Sequence, residues 1–350
     1  MVAVIMILLL AFLPMCSGHG QLNYPPSTRQ GIAGKTWPGA LAGQGAGGYC
    51  EQPNSENPHN PLNGACMLFS QPNIEQPDVS IIPGEPTNND AKFRTHNVNV
   101  SGGPNDWTRK MPWRAPGSAP VLGSGCGVAG GGNVRNQNGG WPPTGMALGA
   151  DAIELPGPEG GPVTVWQVGS HVKVAWGMWA NHGGGYSYRL CKNLPGRVTE
   201  ECFQRTPLRF AGNTQWLQHI NGSKFEIPRV TLSNGTFPAG SEWARQPVPG
   251  CKMGKPDHGP AGHGFADVCV NGTEYPEPLP GMTGFGYTNS TASGIDTFHD
   301  YSIVDHVIIP LTLEPGDYLL SWRWDCEQTT QIWQNCADVR ILSSMPLVAV

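Results

Sequence analysis

Apolar and polar residues alternate in several short stretches of the second half of the chain. Residues 171–178 read HVKVAWGM, which puts Val172, Val174 and Trp176 on one face of a strand. Residues 163–168, 187–191, 225–232, 302–310, 318–324 and 336–342 are also rich in β-branched and aromatic residues. Pro315-Gly316-Asp317 reads as the turn before residues 318–324. No stretch carries a convincing helical period. Short strands separated by turn residues predict an all-β, immunoglobulin/fibronectin-III-like β-sandwich.

Residues 20–162 show almost no such pattern and are punctuated by Gly, Pro and Asn throughout. An irregular region of this length is uncommon inside a compact domain and points to long functional loops. The predicted organisation is a signal peptide over residues 1–18, one β-sandwich domain over 19–343 that contains this Gly/Pro-rich loop region, and a short tail over 344–350.

The signal peptide is read from residues 4–13, VIMILLLAFL, an uncharged run too short to span a bilayer as a helix. Small residues Cys16 and Gly18 then frame a cleavage site that exposes His19. A cut after Gly20 satisfies the same rule and exposes Gln21. Export agrees with ten cysteines, of which Cys16 leaves with the leader. Their spacing predicts local bridges Cys50–Cys66, Cys191–Cys202, Cys251–Cys269 and Cys326–Cys336, with Cys126 left over. Glycosylation triplets begin at Asn99, Asn221, Asn234, Asn271 and Asn289.

A net charge of −5 without a basic cluster argues against nucleic acid as a partner. The last residues are too few to anchor in a membrane, so the expectation is a secreted monomer.

A histidine at the first position of a mature chain is a special metal ligand. Its α-amine and its ring Nδ1 close one chelate, and a second histidine completes three nitrogens in a near-planar T. That set suits Cu(II) better than Zn(II) or the oxygen-loving ions. Copper displaces the amine proton at neutral pH, because the amine's ordinary pKa is near 8.

The opening His19-Gly20-Gln21-Leu22-Asn23-Tyr24-Pro25-Pro26-Ser27-Thr28-Arg29 resembles the mature start of lytic polysaccharide monooxygenases, especially the chitin-binding type-4 group. Residues 179–188, WANHGGGYSY, resemble the segment that carries the second copper histidine. Residues 331–339, QIWQNCADV, resemble the closing strand, where cellulose-active fungal members have Gln-x-Tyr-x-x-Cys.

The resemblance implies one copper ion held by His19 and His182. It places Gln331 as a hydrogen bonder beside the metal and Trp333 on its axial side. Glu327 is a further candidate for orienting an oxygen species. Trp333 departs from the family's Tyr or Phe and presents no phenolic oxygen. The implied activity is oxidative cleavage of an insoluble polysaccharide, chitin or cellulose, with an external electron donor.

His96 is the chief rival to His182. His171 and His306 lie in strand patterns, and His258 and His263 in a Gly-rich stretch. Tyr24, Trp37, Trp107, Trp113 and Trp141 are candidate sugar platforms. No carboxylate pair, nucleophile elbow, zinc-protease or nucleotide motif supports a hydrolase or nucleotide enzyme. The alternatives are a non-catalytic polysaccharide- or copper-binding protein on the same fold, and a metal-free matrix protein.

Overall fold

The computed structural model describes residues 19–25, 28–29, 68–71, 116–133, 142, 146–180, 184–219, 224–247, 301–326 and 331–343. These form two sheets packed face to face, a β-sandwich of immunoglobulin/fibronectin-III-like class with long irregular segments. The first sheet runs β1 (His19–Tyr24), β5 (His171–Ala180), β12 (Tyr301–Ile308), β8 (Thr214–His219), β9 (Lys224–Pro228), with β7 (Arg209–Phe210) on β12. The second runs β10 (Thr231–Leu232), β11 (Trp243–Arg245), β6 (Gly185–Lys192), β13 (Gly316–Asp325), β14 (Ile332–Leu342), β2 (Leu68–Ser70), β3 (Val128–Ala129), with β4 (Thr164–Gln167) parallel on β14.

The alternation in the sequence is the alternation of the sandwich. Val172, Val174 and Trp176 of β5 face Tyr186, Tyr188, Leu190, Leu320, Trp322 and Trp324 across the core. The patterned stretch 225–232 is not one strand. It divides into β9 and β10, which belong to different sheets, so the chain crosses the sandwich at Arg229. Arg229 makes that crossing tolerable. It donates to Thr214 O and Ala211 O and pairs with Asp305 at 3.0 Å, both side chains fully buried. Tyr186 Oη donates to the same carboxylate at 2.8 Å. Burial pushes the Asp305 carboxyl up to about 6, against the opposing pull of Arg229 and Tyr186.

The second sheet is covered on both faces. Cys191, Leu319 and Cys336 point away from the sandwich and are buried with Leu68, Cys126, Ala129, Ala152 and Phe203. The cover comes from residues 116–133 and 146–155 of the Gly-rich region and from a short helix, α1 (Glu200–Gln204). Thr199 caps that helix by accepting from Cys202 N.

The predicted Cys191–Cys202 bridge is present and ties α1 to β6. The predicted Cys326–Cys336 bridge is not. Cys336 pairs with Cys126, which therefore is not left over. The physical reason is register: β13 and β14 put Ser321, not Cys326, opposite Cys336. Cys326 lies five residues further along β13's direction, roughly 16 Å away at the rise of a strand. The bridge instead closes a loop with a sequence separation of 210 and clamps the glycine-rich cover to the sheet. Cys50, Cys66, Cys251 and Cys269 lie outside the described residues.

Charges as well as apolar groups are buried under this cover. Glu200 accepts from Arg189 and, at 2.9 Å, from Arg323. Arg323 also forks onto Asp325 at 2.7 and 3.1 Å and donates to Ala119 O. Asp325 accepts from Gly117 N, and Ser321 Oγ donates to Gly125 O. Burial disfavours both guanidinium charges. It prevails at Arg189, whereas Asp325 and Glu200 outweigh it at Arg323. Burial also pushes the Glu200 carboxyl up, but Arg189 and Arg323 together hold it below its ordinary value.

A carboxyl depressed in the fold contributes stability that is present above its unfolded pKa and lost as pH falls through the folded one. Glu200→Gln is therefore expected to cost about 3 kcal/mol at pH 7, because Arg189 loses its carboxylate partner while buried and Arg323 keeps only Asp325. It should also flatten the loss of stability below about pH 4. Urea titrations of both proteins from pH 3 to 7 check this; parallel profiles would show that Glu200 does not hold the cover.

Candidate metal centre

The proposed ligand His19 opens β1, an edge strand of the first sheet. Its Cα partner on β5 is Ala180, followed by Gly20↔Met178 after a bulge. Ala180 precedes His182 by two residues. Only residues 181–183 separate the end of β5 in one sheet from Gly184 and β6 in the other. The register Asp325↔Gly185 and Asp325↔Ile332 brings the end of β13 and the start of β14 to that same end of the sandwich. The His19 side chain, His182 and Glu327 lie outside the described residues, but the strands that flank them in the chain converge here.

Two glycines make the convergence possible. A Cβ on Gly20 would stand 2.8 Å from Trp324 Cε3 and 2.9 Å from Trp322 Cη2, so no side chain fits between β1 and the indoles. Gly184 has φ of +83°, and a Cβ there would fall 1.9 Å from Asp325 O. Gln246 N donates to Gly184 O at 3.0 Å, which fixes the entry to β6. On the inner side of β1, Leu22 N donates to Asn335 Oδ1 of β14 at 2.9 Å. That bond ties the two sheets together three residues from His19.

Gln331 is buried just before β14. Its Nε2 stands 3.4 Å from Gln71 Oε1, and its carbonyl accepts from Cys326 N. Trp333 is fully buried and faces the sandwich interior, its ring stacked on Phe69 at 4.6 Å and 21°. Gln331 and Trp333 thus sit at the end where β1 begins, one beside the cover and one in the core.

Sequence reasoning missed Trp322 and Trp324 as the floor beneath Gly20, and Asn335 as the tie to β1. The alternation Trp322-Arg323-Trp324 was the available signal: two indoles on one strand face next to a Gly that follows the candidate ligand. Among the rival histidines, His171 and His306 lie on the outer face of the first sheet, away from this end. His96, His258 and His263 lie outside the described residues, as do Trp37, Trp107, Trp113 and Trp141. Among the described residues, no three His, Cys, Asp or Glu side chains converge on a metal-sized space. No helix among them is long and apolar enough to cross a membrane.

No family model matches the chain, and no curated protein matches it. Solved structures similar to it include the AA15 lytic polysaccharide monooxygenase from Thermobia domestica in the Cu(I) state. That likeness has 18% identity and a TM-score of 0.25, over 57% of this chain and 77% of that one. The cellulose-active monooxygenase CelS2 in complex with copper is similar at 14% identity and a TM-score of 0.22, over 52% of this chain and 55% of its own length. An AA10 lytic polysaccharide monooxygenase from Streptomyces lividans is similar at 11% identity and a TM-score of 0.24, over 56% and 70%. The sandwich assignment comes from the strand pairing itself.

Gly20→Ala is expected to lower unfolding free energy by about 1–3 kcal/mol, because the methyl overpacks the indoles beneath it. Urea denaturation measures this. An unchanged midpoint would mean that β1 does not rest on Trp322 and Trp324.

Proposed function

We propose that the chain is a secreted, copper-dependent lytic polysaccharide monooxygenase acting on a crystalline polysaccharide, chitin or cellulose. The observation that carries this reading is the β1–β5 register. It sets the His19 backbone opposite Ala180, two residues before His182 in the chain. The mature domain in this reading spans residues 19–343, after a signal peptide over 1–18 and before a tail over 344–350.

The donor set fits copper, since an α-amine and two imidazoles are nitrogen donors of the kind Cu(II) prefers. His19 and His182 would hold the ion. Reduced by an external donor, copper would supply the activation of O2 or H2O2 that removes a hydrogen from the carbon beside a glycosidic bond. The residues around it have separate tasks. Trp322 and Trp324 support β1 from below, and Gly20 lets it lie flat on them. Asn335 holds Leu22 N and with it the direction in which the strand start points. Gln331 and Glu327 are assigned the orientation of the oxygen species by hydrogen bonding. Trp333 would screen the site from the core side, where its indole is fully buried and presents no phenolic oxygen.

Trp333 also favours a second reading. It has no phenolic oxygen and is stacked on Phe69, as a core residue would be. On that reading the protein binds polysaccharide or copper without turnover.

Intact mass of the secreted protein is expected to show a chain beginning at His19. Calorimetry should give one Cu(II) per chain, and electron paramagnetic resonance should show couplings to three nitrogens, of which His182→Ala removes one. Chitin, cellulose and xylan are then incubated with the copper-loaded protein and a reductant. Oxidised oligosaccharides are expected from chitin or cellulose, at a rate about 10–100-fold lower in Gln331→Ala. A mature start at Gln21 overturns the copper site. Copper binding without oxidised product on any of the three selects the second reading.

A further inference from the structure

The outer face of the first sheet gathers cations that lie far apart in the sequence. His306 of β12 is the Cα partner of Lys173 of β5, and Lys224 of β9 is the partner of Gln218 of β8. His171 lies two residues before Lys173 on the same face, opposite Ile308. Lys173 Nζ stands 5.3 Å above the centre of the Tyr24 ring and 3.4 Å from Gln218 Oε1. The His306 ring meets the Trp216 ring edge to face at 5.1 Å.

The opposite sheet face carries Asp305 and Arg229, which satisfy each other. Among the described residues, the acid on the cationic face is Glu226, the exposed partner of Trp216. His171 and Lys224 are exposed, while Tyr24, Lys173, Trp216 and His306 are half-buried.

We propose that this face binds an acidic polysaccharide, a chain of sugar rings bearing carboxylate or sulfate groups. Lys173, Lys224, His171 and His306 would take the charges, and Tyr24 and Trp216 would take the sugar faces. Three observations point to that chemistry. The first is charge complementarity on a protein whose net charge is −5, so the patch runs against the average. The cations also disfavour one another: burial and then Lys224 lower Lys173, and burial, Lys173, Lys224 and His171 lower His306. An anion laid across them relieves that repulsion.

The second observation is spacing. Lys173 and His306 are partners on neighbouring strands about 5 Å apart, and Lys224 lies two strands beyond His306 and four residues along, a step of about 10 Å across and about 13 Å along the strands. Duplex nucleic acid carries a charge every ~1.7 Å of its axis. A polysaccharide with one acid per sugar has the sparser charge that this face matches. The third is that two aromatic rings share the face with the charges, and aromatic side chains combine an apolar plane with a polar edge. This site does not rest on the copper reading, because its binding is measured on metal-free protein.

The test is calorimetry of the metal-free full chain with dextran sulfate, polygalacturonate and neutral dextran, each at low and at physiological salt. Both acidic chains should bind, more weakly as salt rises, and neutral dextran should not. Lys224→Gln and His171→Gln are exposed changes that leave the fold intact. Together with Lys173→Gln they should weaken binding about tenfold and reduce its salt dependence. Glu226→Gln should strengthen it. Unaltered affinity in the Lys224→Gln and His171→Gln proteins overturns the assignment of this face. Failure of both acidic chains to bind the wild type overturns the site. RNA or phosphatidylserine vesicles that bind as tightly, and lose affinity in the same variants, overturn the choice of polysaccharide.

Discussion

Three indoles set the geometry on which the rest of the sandwich depends. Trp176 of β5 lies 5.1 Å from Trp322 and 5.3 Å from Trp324 of β13, and 4.9 Å from the Tyr186 ring of β6. All are buried, and together they fill the space between the sheets next to the start of β1. Aromatic groups of this size leave no slack, since a close-packed interior transmits any added volume to the backbone. The strand lying over Trp322 and Trp324 can therefore carry only a glycine, and Gly20 is that residue. The residue before it is the candidate copper ligand. A packing requirement in the core thus fixes where the first strand can start.

The second sheet obeys a different constraint, because both of its faces are dry. A strand buried on both sides ordinarily becomes continuously apolar. Here β13 keeps its alternation and buries Ser321, Arg323 and Asp325 on the side away from the sandwich. Their partners come from residues 116–133 and from Glu200 of α1. The glycine-rich cover is held by buried ion pairs and by the Cys126–Cys336 bridge as well as by apolar contacts. What looked in the sequence like a structureless loop region is in part a third layer over the sheet. It also contributes β1, β2 and β3 as strands.

The strands of the second half were legible in the sequence, because one face of each is apolar and the period is two. β5, β12, β13 and β14 appear within a few residues of where the alternation placed them. The division of residues 225–232 between sheets was not legible, since Arg229 turns the chain by contacts with Thr214, Ala211 and Asp305. The same holds for the bridge of Cys336. Spacing favours the near cysteine, Cys326, whereas strand register brings the distant Cys126 beneath it.

The sequence by itself determined the class of fold and the candidate donors. Each of these is a local property, written in periodicity, in residue chemistry or in a few adjacent positions. Only the tertiary structure decided that the ends of β1, β5, β13 and β14 meet at one end of the sandwich, that Trp333 points into the core, and that Lys173, His306 and Lys224 share one face. Several of those relations depend on pairing between segments more than a hundred residues apart. Pairing of that kind follows from burying all the apolar faces at once, which no single stretch of sequence records.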